Sequence, residues 1–129
     1  MNPVKNSYAA LWDEYKEVRS AVPLMNVIRR ILEYYFLQLC GYDGSDLRER
    51  ILIKHKQELT HDENGNEDYN KFEMASAMLS YITVSSSSVN DGINYVDDYM
   101  DTDQCRSIFE MIFREMQQGQ HFDMMMDRK

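Results

Sequence analysis

Residues 23–40, PLMNVIRRILEYYFLQLC, form the longest apolar stretch of the chain and decide its fold. Apolar residues recur in it at three- and four-residue steps, and others fill much of the remaining circumference. Pro23 suits the first turn of a helix, and Gly41 suits a residue just past its end. A helix that is apolar nearly all round is normally central in its domain. The stretch therefore predicts a central helix, on which Arg29 and Glu33 stand one turn apart.

Four more segments show apolar residues at helical spacing. These segments are 7–19, 46–59, 69–81 and 101–119. Asp46 and Glu49 have the spacing of a capping box at the start of the second one. The serine-rich stretch 83–94 breaks every period and predicts a loop, because such side chains compete for backbone hydrogen bonds. A short helical or turn segment follows at 95–100. The sequence therefore predicts an all-α protein, with residues 1–129 forming a single helical domain of about five helices.

Length and composition also fit one globular domain. The chain has 129 residues and is 43% hydrophobic, which is ordinary for a folded protein and high for a disordered one. Arg29, Arg30 and Glu33 interrupt the best candidate for a membrane span, which needs about 20 uncharged apolar residues. No membrane association is therefore expected. Cys40 and Cys105 fall at apolar helix positions and are predicted to be buried free thiols, which favours a cytoplasmic location.

Charge and motifs limit the possible functions. A net charge of −8 opposes nonspecific binding to nucleic acid, although it does not forbid a local site. The acidic stretch 60–68, THDENGNED, has part of the spacing of a calcium-binding loop, but Glu67 stands where the sharp bend needs glycine. A solvated loop is the favoured interpretation. His55 and His61 lack a third ligand at metal-binding spacing, and His55 is expected to be a partly buried packing residue. Neither a metal nor a cofactor is expected.

Arg29 and Glu33 are the candidate chemical groups. An Arg–Glu pair at i,i+4 is most often an exposed salt bridge worth about 0.3 kcal/mol. On this apolar helix we expect the Arg–Glu pair to be partly buried. Burying two charges costs desolvation energy, so a buried pair is expected to have a functional role. Cleavage of RNA by its own ribose 2′-OH needs a base, an acid and a cation that stabilises the charged phosphorane. Glu33 is then the candidate base and Arg29 the electrostatic stabiliser, with a histidine from elsewhere as the acid.

Four blocks of the sequence resemble, in the same order, the C-terminal region of ABC-type ATPases of the RloC and PrrC anticodon-nuclease group. The blocks are NSYAALWDEYKE, NVIRRILEYYF, SSSSVNDGINYVDD and IFEMIFREMQQGQHFDMMM. The resemblance implies a HEPN-like helical bundle, whose nuclease members cleave tRNA without a metal ion in phage defence. It also implies an arginine–glutamate pair spaced as Arg29 and Glu33 are, plus a histidine. His121 lies in the matching terminal block.

Two departures from that group shape the prediction. Its members carry an N-terminal ATPase head, whereas this chain has no phosphate-binding loop and is not expected to hydrolyse ATP. The resemblance implies that the chain corresponds to one region of a longer ATPase or to a split partner of one. Where the group tends to have a Ser-His pair, this sequence reads Ser86-Ser87. The match of the terminal block makes His121 the candidate acid, with His55 and His61 as the other histidines that the fold could bring to the pair.

Two interpretations follow. The leading one is a HEPN-like, metal-independent endoribonuclease domain acting on tRNA, with its activity weakened or lost. The alternative is a non-catalytic helical module that forms a homodimer or docks on a separate ATPase subunit. The acidic surface and the three consecutive methionines near the C-terminus, Met124 to Met126, favour the second interpretation.

Overall fold

The computed structural model describes residues 3–83 and 101–128, with side chains for all of these except 3–6 and 80–83. Within these ranges the chain forms seven α-helices, one π-helical segment and no strand. The helices are α1 (Pro3–Glu17), α2 (Ala21–Leu32), α3 (Gly44–Leu52), α4 (Lys56–Leu59), α5 (Asn70–Thr83), α6 (Thr102–Glu115) and α7 (Gly119–Met125). α2 continues directly into the π-helix, Glu33–Leu39. The predicted all-α class is confirmed. The predicted loop 83–94, apart from its first residue, and the predicted segment 95–100 lie outside the described residues.

The structure has more helices than the five predicted, because two predicted segments are divided. The predicted helix 46–59 is interrupted at 53–55, where the Lys56 amide bonds to the Ile53 carbonyl at 3.4 Å. The predicted helix 101–119 ends at Glu115, and Gln117 takes a left-handed φ of 62°. Gly119 then begins α7 instead of ending a helix.

α2 is the central helix, as its sequence predicts. Eight of its twelve residues are buried. It packs against α1, α5 and α6, and their apolar faces join it in one hydrophobic core. The helix begins at Ala21, so Pro23 lies at its third position and not at its first. This is tolerated because the first-turn N–H groups of a helix have no intrahelical acceptor, so the missing N–H of proline breaks no bond.

The turn that follows the central helix is set by three residues. Gly41 has a φ of 74°, the left-handed conformation expected of a glycine just past a helix end. Asp43 caps α3, because its side chain accepts a hydrogen bond from the Ser45 amide at 2.7 Å. The prediction that Asp46 caps this helix is therefore wrong by three residues: α3 begins one residue after Asp43.

The two cysteines differ in environment. Cys105 is buried, as predicted, and its thiol lies 3.8 Å from the Met74 sulfur. Burial raises the pKa of the Cys105 thiol to about 11. The prediction of burial for Cys40 is wrong: Cys40 follows the last π-helical residue, where the chain turns away from the core, and its side chain is exposed.

The acidic loop 60–68 is closed by hydrogen bonds to its own backbone. Asp62 accepts hydrogen bonds from the Asn64 and Asn66 amides, both at 2.9 Å, so its carboxylate closes the turn of the loop. The Asp68 amide bonds back to the Thr60 carbonyl at 2.8 Å. Among the helices of the described ranges, none combines the length and the apolar character needed to cross a membrane.

Candidate functional site

The π-helix carries three consecutive aromatic residues, Tyr34, Tyr35 and Phe36. Its wider turn is visible in the bond from the Cys40 amide to the Tyr35 carbonyl at 2.9 Å, which spans five residues instead of four. Three adjacent bulky side chains point in different directions on such a turn, so each can find its own packing partner. π-helical turns within helices are frequent at functional sites. The π-helix is therefore a candidate location for a functional site.

His121 lies against this segment in an arrangement that we name the histidine pocket, formed with Tyr8, Tyr35 and Gln118. The imidazole stacks on the Tyr35 ring, with centroids 4.1 Å apart and 13° between the planes. The Tyr8 hydroxyl and His121 Nε2 are 2.8 Å apart and share a hydrogen bond. The Tyr35 hydroxyl donates to Gln118 Oε1 at 2.5 Å. Stacking and hydrogen bonding together fix the orientation of the imidazole.

Burial disfavours the charged form of each ionisable group in the histidine pocket. It lowers the pKa of His121 below its ordinary value of 6.5. Burial likewise raises the pKa of Tyr8 well above its usual range. Burial, together with the neighbouring Cys40 thiol, raises the pKa of Tyr35 to about 12. A general acid must carry a proton that it can release near the operating pH, and burial of the His121 imidazole disfavours the protonated form that would supply it.

Arg29 lies inside the bundle, as the apolar character of its helix predicts. Only 1% of its surface is exposed, and its Nη2 donates to Asn26 Oδ1 at 3.0 Å. Glu33, one turn further on, is half-buried and is the first residue of the π-helix. Arg29 is the one charged side chain in the buried class among the residues that the structure describes.

No contact joins Glu33 to His121 in the part of the chain that the structure describes. His121 stacks on Tyr35, which lies two residues after Glu33 on the π-helix. Side chains that share a helix face stand three to five positions apart, so Glu33 and Tyr35 point in different directions. Of the three predicted catalytic residues, Arg29 and Glu33 share a face through their one-turn spacing, whereas His121 belongs to the histidine pocket.

Outside the histidine pocket, two surface hollows are lined by residues that the structure describes. One, of about 520 Å³, lies between α1 and α2 and is lined by Glu14, Glu17, Val18, Pro23, Asn26 and Arg30. The other, of about 550 Å³, lies along α7 and is lined by Gln120, Asp123, Met124, Asp127 and Arg128. None of the three predicted catalytic residues lines either hollow. The first hollow comes near Arg29 through Asn26, but Glu14 and Glu17 would repel a phosphate there.

Ion pairs attach the C-terminal segment to the rest of the bundle, and one of its methionines, Met124, is exposed. Arg114 on α6 pairs with Asp123 at 2.6 Å, and Lys16 on α1 pairs with Asp127 at 3.0 Å. Met125 and Met126 pack against the core, which confirms that the tail docks. Met124 is 62% exposed.

Sequence reasoning missed Tyr8 and Tyr35 as partners of His121, and Gln118 as the partner of Tyr35. Tyr8 and His121 are 113 positions apart, and no local pattern links residues at that separation. The available signal was weak: Gln118 and His121 are three residues apart, which places them on one side of a single helical turn.

Comparisons of the chain with models of protein families, with characterised proteins and with solved structures give no match. The resemblance to the RloC and PrrC group therefore stays a prediction from the four sequence blocks.

Proposed function

We propose that this chain is a HEPN-like helical domain of the anticodon-nuclease type that serves as a docking module for a separate ATPase subunit and does not itself cleave tRNA. The observation that carries the proposal is the placement of His121. Its imidazole is stacked on Tyr35 and bonded to Tyr8, burial lowers its pKa, and no contact joins it to Glu33 among the described residues. A base and a stabilising cation without an acid leave the departing ribose oxygen unprotonated, which slows cleavage strongly.

The surface of α7 supports the docking half of the proposal. Met124 projects from a helix that ion pairs hold in place on both flanks, through Arg114 on one side and Lys16 on the other. Methionine side chains are flexible and polarizable, and therefore suit surfaces that adapt to a partner. The hollow beside Met124 can bind an apolar side chain of a partner, and charged groups such as Asp123 also line it.

A second candidate function, tRNA cleavage by Arg29 and Glu33, is favoured by one specific observation. Arg29 is buried on a helix whose other buried side chains are all apolar, and burying a guanidinium carries a desolvation penalty that structure alone seldom repays. Groups held at such a penalty concentrate at functional sites. In this function Glu33 is the base, Arg29 stabilises the phosphorane, and an acid comes from outside the histidine pocket.

The intact chain incubated with total tRNA in a metal chelator distinguishes the two functions. Wild type is compared with Glu33→Gln and Arg29→Ala, and the products are read on a denaturing gel. We expect no cleavage above the buffer control from any of the three proteins. Cleavage by the wild type that both substitutions abolish overturns the docking proposal in favour of the nuclease. Circular dichroism of Arg29→Ala checks that the variant is folded, since the side chain that it loses is buried.

A further inference from the structure

Several positively charged side chains of this acidic chain are engaged. Lys16, Arg106, Arg114 and Arg128 each bind a carboxylate or a backbone carbonyl. By contrast, Arg50, Lys54 and Lys56 are exposed, and none of the three has a side-chain partner within the part of the chain that the structure describes. Free cations thus concentrate at the end of α3 and the start of α4.

A large apolar side chain lies in the middle of these cations. Ile53 is 64% exposed, more than the other large apolar residues among those described. The Ile53 amide bonds to the Glu49 carbonyl at 2.9 Å, and the His55 amide to the Ile51 carbonyl at 3.3 Å, so the hydrogen bonds of α3 extend into the interruption at 53–55. Arg50, Ile53 and Lys54 stand at i, i+3 and i+4 and therefore share one face. We name Arg50, Ile53, Lys54 and Lys56 the basic strip.

The basic strip is held on a fixed frame. His55 points away from it, and its Nε2 lies 2.9 Å from Glu115 Oε2 on α6. Ile51 and Leu52, on the inner side of the same turn, are buried in the core. The turn that carries the exposed cations is therefore held by α6 and by the core on the side opposite to the basic strip. The backbone of the strip is already fixed before a partner binds, which keeps the entropy cost of binding low.

The charge of this segment is opposite to that of the chain. Residues 48–56 contain four Lys and Arg side chains and one carboxylate, Glu49, which is a local excess of three positive charges. The whole chain carries −8. An acidic partner is repelled by most of the surface and attracted here, so that the field of the protein steers it to the strip.

We propose that the basic strip binds an acidic, amphipathic segment of a partner protein. Carboxylates of that segment pair with Arg50, Lys54 and Lys56, and one of its aliphatic side chains covers Ile53. A protein segment is favoured over RNA because RNA pairs phosphates with cations and stacks bases on aromatic rings, and an isoleucine at the centre offers neither contact. The proposal rests on the docking function given above, but its test measures binding and not RNA cleavage, so the two can fail separately.

The test uses a fluorescein-labelled peptide in which glutamates and leucines alternate at the spacing of an amphipathic helix. Its fluorescence anisotropy is followed as the intact chain is added at low salt. We expect saturable binding that weakens about tenfold with Lys54→Glu or with Ile53→Asp. The matched control is Arg30→Glu, which makes the same charge change at an exposed cation on α2 and should alter the affinity less than about twofold. All three side chains are exposed, so the variants should keep the circular dichroism spectrum of the wild type.

Three kinds of result would overturn the proposal. The first concerns the binding itself: either the peptide does not bind saturably, or Lys54→Glu and Arg30→Glu weaken its binding equally. The second is displacement of the peptide by a single-stranded RNA of uridines at lower concentration than by unlabelled peptide, which would make the strip a nucleic-acid surface. The third is a change in oligomeric state by size-exclusion chromatography when Ile53→Asp is introduced, which would make the occupant a second copy of this chain.

Discussion

Replacing His121 with glutamine should change how the stability of this protein depends on pH. In the folded protein, burial keeps the imidazole uncharged below its ordinary pKa of 6.5, whereas in the unfolded chain it takes up a proton near that value. As the pH falls through 6.5, the unfolded state therefore binds a proton that the folded state does not, and the free energy of unfolding decreases. The decrease stops once the pH passes the lowered pKa of the folded state, and above pH 6.5 the effect disappears. Inside this window the loss for each pH unit stays below the one-proton limit of about 1.4 kcal/mol.

The assay is urea denaturation of wild type and His121→Gln at a series of pH values from about 7.5 to about 5. The difference between the two proteins isolates His121, because every other ionisable group is the same in both. We expect the stability advantage of the wild type to shrink as the pH falls below 6.5. A constant difference, or one that grows in acid, would refute the reasoning, because it would mean that the fold accepts or favours the imidazolium form that a general acid requires.

Other predictions test the core, the thiols and the phenol beside His121. Phe113, which is fully buried and packs against the rings of Trp12 and Phe36, should lose about 3–5 kcal/mol of unfolding free energy when changed to alanine. Met124→Ala, at an exposed site, is the control and should change the free energy of unfolding by less than about 0.5 kcal/mol. A loss below about 1 kcal/mol for Phe113→Ala would contradict the packing described for Phe113. In the native protein a thiol reagent should label Cys40 but not Cys105, and rapid labelling of both would count against the burial described. The difference between absorbance titrations of the wild type and Tyr35→Phe should place ionisation of the Tyr35 phenol near pH 12, because burial and the adjacent thiol raise its pKa. A difference centred at the ordinary pKa of 10.0 would contradict this.

The sequence was sufficient for the helices whose signals are local. The apolar circumference of α2 predicts a central helix, and the structure places it in the core with Arg29 buried. Gly41 predicts the end of that helix, because a left-handed φ suits a residue without a side chain. Such features depend on residues within one or two turns of each other, so a periodicity of 3.6 captures them.

The candidate site could not be predicted, because it depends on distant contacts and on a change of helix type. A pattern at 3.6 residues per turn cannot show that a π-helix begins at Glu33, and the rotation that the π-helix adds decides where Tyr35 and Cys40 point. Nor does the stretch 51–56 contain a glycine or proline to mark the break between α3 and α4. The contact of His121 with Tyr35 arises only when α7 packs back on the central helix.

Whether His121 and Glu33 belong to one catalytic site is tested most directly by NMR titration of the His121 imidazole in the wild type and in Glu33→Gln. If the two residues lie on different sides of the central helix, the midpoint falls below pH 6.5 and is the same in both proteins. A midpoint at or above 6.5 that drops when Glu33 is neutralised would place carboxylate and imidazole together and contradict the docking proposal.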